Sequence, residues 1–198
     1  MAIVVKHNST ADGDPLIDGD DWNANHTLTG GGTFRIPKHI ETKTLSSDST
    51  TTFSNLDGDS DLEYFLVADV SLTRQNKTYS NLQIKPNNQT TNQNGTARET
   101  VGSNATVTIA DPSIWIGSTS GSETARVNSE TYIYAKTGGN RNFYSKWVRT
   151  GASLTAIASL VGRWTDTSTN ITSLVIAPTD GGTVTGKIKL YKMVDLAI

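Results

Sequence analysis

The sequence predicts an all-β fold: an antiparallel β-sandwich or jelly roll carrying an irregular N-terminal arm. Three observations lead there. From Ile40 onward, short apolar stretches alternate with Gly, Asn and Asp clusters, the spacing of strands and turns. Ser, Thr, Asn and Gln make up 68 of 198 residues while charged residues are only 18%, so the surface is wet without being charged and is rich in strand-favouring Thr. Helical periodicity is nearly absent.

Taken in order, strands are expected at 40–46, 50–56, 63–72, 81–86, 105–110, 113–117, 131–137, 143–150, 154–164, 171–177 and 186–194. The joining pieces "DGDSD", "KPNNQTTNQNG", "TSGSE", "TGGNRN" and "APTDGG" carry turn residues. Two segments show period-two order. "TYIYAKT" puts Tyr132 and Tyr134 on one face and Ile133 and Ala135 on the other. "GKIKLYK" turns Ile188 and Leu190 inward and Lys187 and Lys189 outward, the pattern of a half-buried antiparallel strand. Around Gly138–Asn142 the chain reads as a hairpin. The segment "SLTAIASLVGRW" is the one helical contender, because Leu154, Ile157, Leu160 and Val161 fit helical spacing. Its bounding residues Gly151 and Gly162, and the strands on either side, favour a strand.

Residues 1–39 differ from residues 40–198 and are read as a separate arm and hinge. After "MAIVVKH", which can add a short strand, the arm is dense in Asp, Asn, Gly and Pro, with few apolar anchors. Such a segment buries too little area to fold alone. The triple glycine at 30–32 reads as a hinge.

Composition narrows the function classes. The net charge is -2, so no broad positive field exists to hold nucleic acid. No run approaches the roughly 20 apolar residues that cross a bilayer, and no signal peptide is expected. Seven Asn-x-Ser/Thr triplets are read as a product of the Thr- and Asn-rich composition. Cysteine is absent and all three histidines (His7, His26, His39) precede Ile40. A Ser-His or Cys-His couple therefore cannot form within the sheet domain. No motif selects a catalytic carboxylate pair, and neither enzyme activity nor a cofactor is expected.

Two further chemistries were weighed. The string "DGDSDLE" spaces Asp57, Asp59 and Asp61 as a calcium loop begins, but Leu62 and Ala68 stand where an EF-hand needs Gly and Glu. A solvated turn is the preferred reading, and an irregular calcium loop the weaker one. Glycan contact is the weaker reading of an aromatic face with amides beside it, Trp115, Tyr144 and Trp147 with Asn87, Asn88 and Gln89 in the polar loop before Gly95; core packing is the preferred reading of a tryptophan on a strand.

The arm string "DPLIDGDDWNANHTLTG" resembles the N-terminal attachment segment of virion structural proteins of tailed bacteriophages and archaeal viruses, in which a "DWN…H" string recurs. The body is similar to jelly-roll modules of the same proteins. There, strings like Phe53, Leu56, Gly58, Asp61, Glu63 and Tyr64 open the domain, and strings like Ile171–Ile176 and Gly186–Tyr191 close it. The resemblance covers both ends of the chain. It implies a component of the virion, made in the host cytoplasm, that docks on other virion proteins of a tail or baseplate and displays the β-domain for host adhesion. Leu16, Ile17, Asp21, Trp22, Asn23 and His26 would form the docking contact, with Trp22 as anchor. Family members are commonly homo-oligomers, with a trimer favoured. No shaft separates arm from domain, so a long tail fibre is not expected. A capsid decoration or head spike protein is the first alternative, and a free-standing carbohydrate-binding module the second.

Overall fold

The computed structural model describes residues 4–7, 26–29, 34–75, 79–101, 105–111, 113–120, 124–151 and 155–196. By their contacts they divide into one unit of Met1–Ile36 with Val194–Ile198 and another of Pro37–Met193. The expected boundary after residue 39 lies three residues further on. In the first unit, β1 (Val4–His7) pairs antiparallel with β2 (His26–Thr29), Val4 opposite Thr29 and His7 opposite His26. The leading segment is therefore not irregular throughout. In the same unit Arg35 and Asp195 form an exposed ion pair at 3.1 Å.

The body is a sandwich of two antiparallel sheets. After β3 (Phe34–Asp48) the chain forms β4 (Thr51–Phe53), a short helical turn α1 (Gly58–Asp61), β5 (Glu63–Thr73), β6 (Tyr79–Pro86), β7 (Gln93–Val101) and β8 (Ala105–Asp111). It continues through β9 (Ile114–Ser120), β10 (Ala125–Tyr134), β11 (Arg141–Thr150), β12 (Thr155–Trp164), β13 (Leu174–Pro178) and β14 (Thr183–Leu196). One sheet has the order β3-β14-β5-β10-β11-β12-β7-β8 and the other β4-β13-β6-β9.

These orders contain a complete jelly roll. Strands β3, β14, β5 and β10 form one four-strand layer, β4, β13, β6 and β9 the other, and the chain alternates between layers as two interlocked Greek keys require. Two hairpins are inserted into this framework. β7–β8 lies between β6 and β9 in sequence, and β11–β12 between β10 and β13; both join the same sheet and double its width.

The core is where the period-two patterns point. In β10, β11 and β12 buried and outward residues alternate over their full ten-residue lengths. Ile133, Phe143, Trp164, Ile188 and Leu190 are fully buried and meet Phe53, Leu82, Ile84 and Ile114 from the second sheet. Each such side chain contributes roughly 1.5–3 kcal/mol by leaving water. In β9 the six residues Ile114–Thr119 are all buried. A bulge lies opposite Leu82 and Gln83: Trp115 pairs with Gln83 and Gly117 with Leu82, which leaves Ile116 as the extra residue. At Gly117 a Cβ would stand 2.5 Å from Val127, so the layers approach too closely there for a side chain.

Several strand limits differ from expectation. β10 starts at Ala125, six residues before the expected start at 131, because "ARVNSE" turns Ala125, Val127 and Ser129 inward and only Val127 is large. No strand is expected at β7, whose first three residues end the loop string "KPNNQTTNQNG"; its inward residues Gln93, Gly95, Ala97 and Glu99 include no large apolar side chain. The space above it is small: a Cβ on Gly95 would meet the Ser113 carbonyl oxygen at 2.5 Å. The contender at 154–164 is a strand, β12, from Thr155.

Candidate functional site: the open face of the long sheet

The second sheet covers one face of the long sheet with a buried core. The other face of the strands from β14 to β7 carries the outward half of each alternating pattern. The register sets these residues in straight rows across the strands. Tyr191 stands opposite Phe65, Phe65 opposite Tyr132, Tyr132 opposite Tyr144, and Tyr144 opposite Val161. The result is an aromatic row across four strands, continued by an aliphatic residue on the fifth.

The rings touch. Phe65 and Tyr132 have centroids 4.7 Å apart, Phe65 and Tyr191 6.1 Å, and Tyr134 meets Tyr144 edge-on at 5.9 Å. Offset and edge contacts of this kind hold aromatic side chains in place at small entropic cost. Tyr132 and Tyr144 remain 46% and 44% exposed, and Ile157 and Val161 reach 65% and 58%. A contiguous apolar and aromatic patch left in water marks an interaction surface.

Two residues along each strand lies a second row: Lys189, Val67, Glu130, Lys146, Ser159 and Arg98. Shallow hollows open beside it. One, of about 440 Å³, is lined by Val67, Glu130, Lys146, Val148 and Ile157 among others. The second, of about 350 Å³, is lined by Arg98, Thr100, Lys146 and Ile157 among others. Lys146 and Ile157 border both.

The face is cationic although the chain is not. Within Pro37–Met193 the outward cations from β14 to β7 are Lys187, Lys189, Arg126, Lys146, Arg163 and Arg98, against the carboxylates Glu63, Asp69 and Glu130; six minus three leaves +3, in a chain of net charge -2, while Asp195 near the end of β14 belongs to the other unit and pairs with Arg35. Arg126 is matched by Asp69 at 3.0 Å. Among the described residues, neither Lys146 nor Arg98 has a carboxylate within ion-pair distance.

No family model matches this sequence, and no curated protein or solved structure is recognisably similar to it.

The residues singled out from the sequence fall into four groups. Leu16, Ile17, Asp21, Trp22 and Asn23 lie outside the described residues, and His26 opens β2. Trp115 and Trp147 pack in the core, the preferred reading, and are not available for stacking, which corrects their place in the glycan site. They are 3% and 2% exposed, and their indole N–H groups donate inward to Ser113 at 2.8 Å and Ser118 at 3.3 Å. Packing claims an inward tryptophan on a sandwich strand. Tyr144 is on the open face, as a glycan contact requires. The loop amides are committed differently. Asn87 takes a left-handed conformation (φ 50°), its Oδ1 accepts from the Thr172 and Ser173 N–H groups at 2.9 and 3.1 Å, and its Nδ2 donates to the Asn170 carbonyl at 2.8 Å. At Gln89 it is the backbone carbonyl that is engaged, accepting from Gln93 Nε2, and Asn88 is exposed, so the commitment holds for the Asn87 amide.

The fourth group is the aspartate series. Asp57 caps α1, accepting from the Ser60 hydroxyl at 2.7 Å and from Asn170 Nδ2 at 2.9 Å, and these donors hold its carboxyl below the usual carboxylate range. Asp59 accepts from the Thr137 N–H at 2.7 Å. Asp61 accepts from the Tyr64 hydroxyl at 2.9 Å and pairs with Lys192 at 2.7 Å. Each carboxylate serves its own partner in fixing α1 to the strands around it. Among the described residues no group of three or more His, Asp, Glu or Cys is assembled to hold a metal ion.

Sequence reasoning missed the row itself. Phe65, Tyr132, Tyr191, Ile157 and Val161 come from four strands and share a face only through register. One signal was present: in "TAIASLVGRW" strict alternation sends Ile157 and Val161 to the side opposite Leu160 and Trp164.

Proposed function

We propose that this protein is a virion structural component that docks on other virion proteins of a tail or baseplate through its N-terminal segment and displays the jelly-roll body outward for adhesion to the host surface. One observation carries the reading. A double Greek key lies almost wholly within Pro37–Met193, while the leading segment falls in the other unit, as an attachment arm before a display domain would. The "DWNANH" string in that segment supports the docking role, and the exposed aromatic, cationic sheet face supports the adhesive one. Assembly as a homotrimer belongs to the same proposal.

Deleting residues 1–32 and complementing a particle-forming system with the truncated chain tests it. The expected result is a folded β-domain that is absent from purified particles. Incorporation at the full-length level would refute the docking role. Copy number separates tail from head: a few to tens of copies per particle for a tail or baseplate, hundreds for a capsid decoration protein.

A further inference from the structure

We infer that the open face of the long sheet binds an acidic polysaccharide, laid across the strands along the aromatic row. The inference rests on the adhesive reading above and names its ligand class and its residues. It places the contact on the sheet face, away from the polar loop containing Asn87–Gln89.

Three features of the face fit that ligand. The first is shape. Neighbouring strands lie about 4.8 Å apart, so the row from Tyr191 to Val161 spans roughly 19 Å, the length of several sugar rings. A flat row with shallow hollows suits an extended polymer, whereas a small molecule needs an enclosing pocket. The second is ring chemistry. Tyr132 and Tyr144 present apolar faces with a hydroxyl at the rim, which matches a pyranose ring with C–H groups on its face and hydroxyls at its edge. The third is charge. Lys146 and Arg98 stand one row from the tyrosines beside the two hollows, on a face of +3 within an acidic chain; Glu130 is the cross-strand neighbour of Lys146, and among the described residues neither cation has a carboxylate within ion-pair distance. A surface with an excess of cations selects an anionic partner and raises its rate of encounter. Carboxylate-bearing and sulfate-bearing sugars share the required chemistry, a ring with an anionic substituent at its rim.

The full-length chain is titrated against polygalacturonate and dextran sulfate by isothermal calorimetry and affinity electrophoresis, with uncharged dextran as control. Binding to at least one acidic polymer and none to dextran is expected, weakened at least about tenfold between 50 and 500 mM NaCl. Lys146→Glu with Arg98→Glu is expected to abolish it. Tyr132→Ala with Tyr144→Ala is expected to weaken it about tenfold, with circular dichroism and thermal midpoint unchanged because all four residues are exposed. No binding to either acidic polymer overturns the inference, as does binding indifferent to both double variants. If sedimentation instead shows stable self-association that Tyr132→Ala with Tyr144→Ala abolishes, the face is a subunit interface and the inference is likewise overturned. Failure here together with normal particle incorporation leaves the virion reading standing; polymer binding without incorporation sinks only that reading.

Discussion

Arg149 Nε and Glu99 Oε1 lie 2.6 Å apart inside the sandwich, reaching from β11 to β7 over the intervening β12. The side chains are 7% and 12% exposed, and the contact is ionic, without the alignment of a hydrogen bond. What lets them meet is the strand between them, whose inward residues here are Ala156 and Ala158. Arg149→Met should destabilise the protein by about 3–5 kcal/mol, because it strands the Glu99 carboxylate in a dry site. Arg149→Met with Glu99→Leu should recover most of that loss. Urea unfolding of the single and double variants measures both.

Asn87→Ala should cost about 2–4 kcal/mol. It removes an acceptor for two backbone N–H groups and a donor to the Asn170 carbonyl, and it places alanine at a positive φ. The expected signature is a lower denaturation midpoint. A variant of unchanged stability would refute the bracing role and return this amide to the list of ligand contacts.

Acid should unfold the protein through three carboxylates. Hydrogen bonds from Ser60 and Asn170 lower Asp57, and those from the backbone and hydroxyl of Thr169 and the backbone of Ser168 lower Asp166. At Asp180 burial raises the carboxyl, and the bonds from Ser80, the Gln75 N–H and the Gly182 N–H together outweigh it, for a net lowering. A depressed folded-state pKa gives stability that is complete above the unfolded value near 3.9 and is lost as pH falls through the folded value. The urea midpoint should hold from neutrality to about pH 5 and fall progressively below about pH 4. A flat profile down to pH 2 would contradict it.

The alkaline limb rests on Tyr64. Burial first, and then the Asp61 carboxylate, push its phenol far above the usual value. A raised folded-state pKa gives stability that is complete below the unfolded pKa near 10 and is lost as pH rises beyond it. Tyr64→Phe should flatten the decline in midpoint above about pH 10 while removing the hydroxyl bond to Asp61.

The two sides of β12 should respond oppositely to truncation. Leu160→Ala is expected to cost about 2–5 kcal/mol, since Leu160 is 2% exposed in the core. Ile157→Ala should change stability by less than about 1 kcal/mol. A helix would have grouped the two residues on one face, so equal losses would refute the strand.

Much of the fold was legible because the period-two code is local. "TYIYAKT" and "GKIKLYK" show which side of their strands is buried, and Ile133, Ala135, Ile188 and Leu190 are at 0% exposure. Where inward residues are small or polar the code fades, which is why β7 and the first half of β10 were not read. For Trp115 and Trp147 the sequence leaves core packing, the preferred reading, and glycan contact both open, because a tryptophan in a strand looks the same whether it faces a ligand or the core.

What the sequence determined by itself was the class of fold, the turns, the absence of cysteine chemistry and the contrast between the leading segment and the body. Each of these depends on neighbours along the chain. The tertiary structure decided the strand order, the two inserted hairpins that widen one sheet, and the row Tyr191, Phe65, Tyr132, Tyr144. That row joins residues from four strands, with Phe65 and Tyr191 126 positions apart in the chain. Backbone hydrogen bonding between distant strands sets its register, and no local pattern of residues encodes which strand will lie beside which.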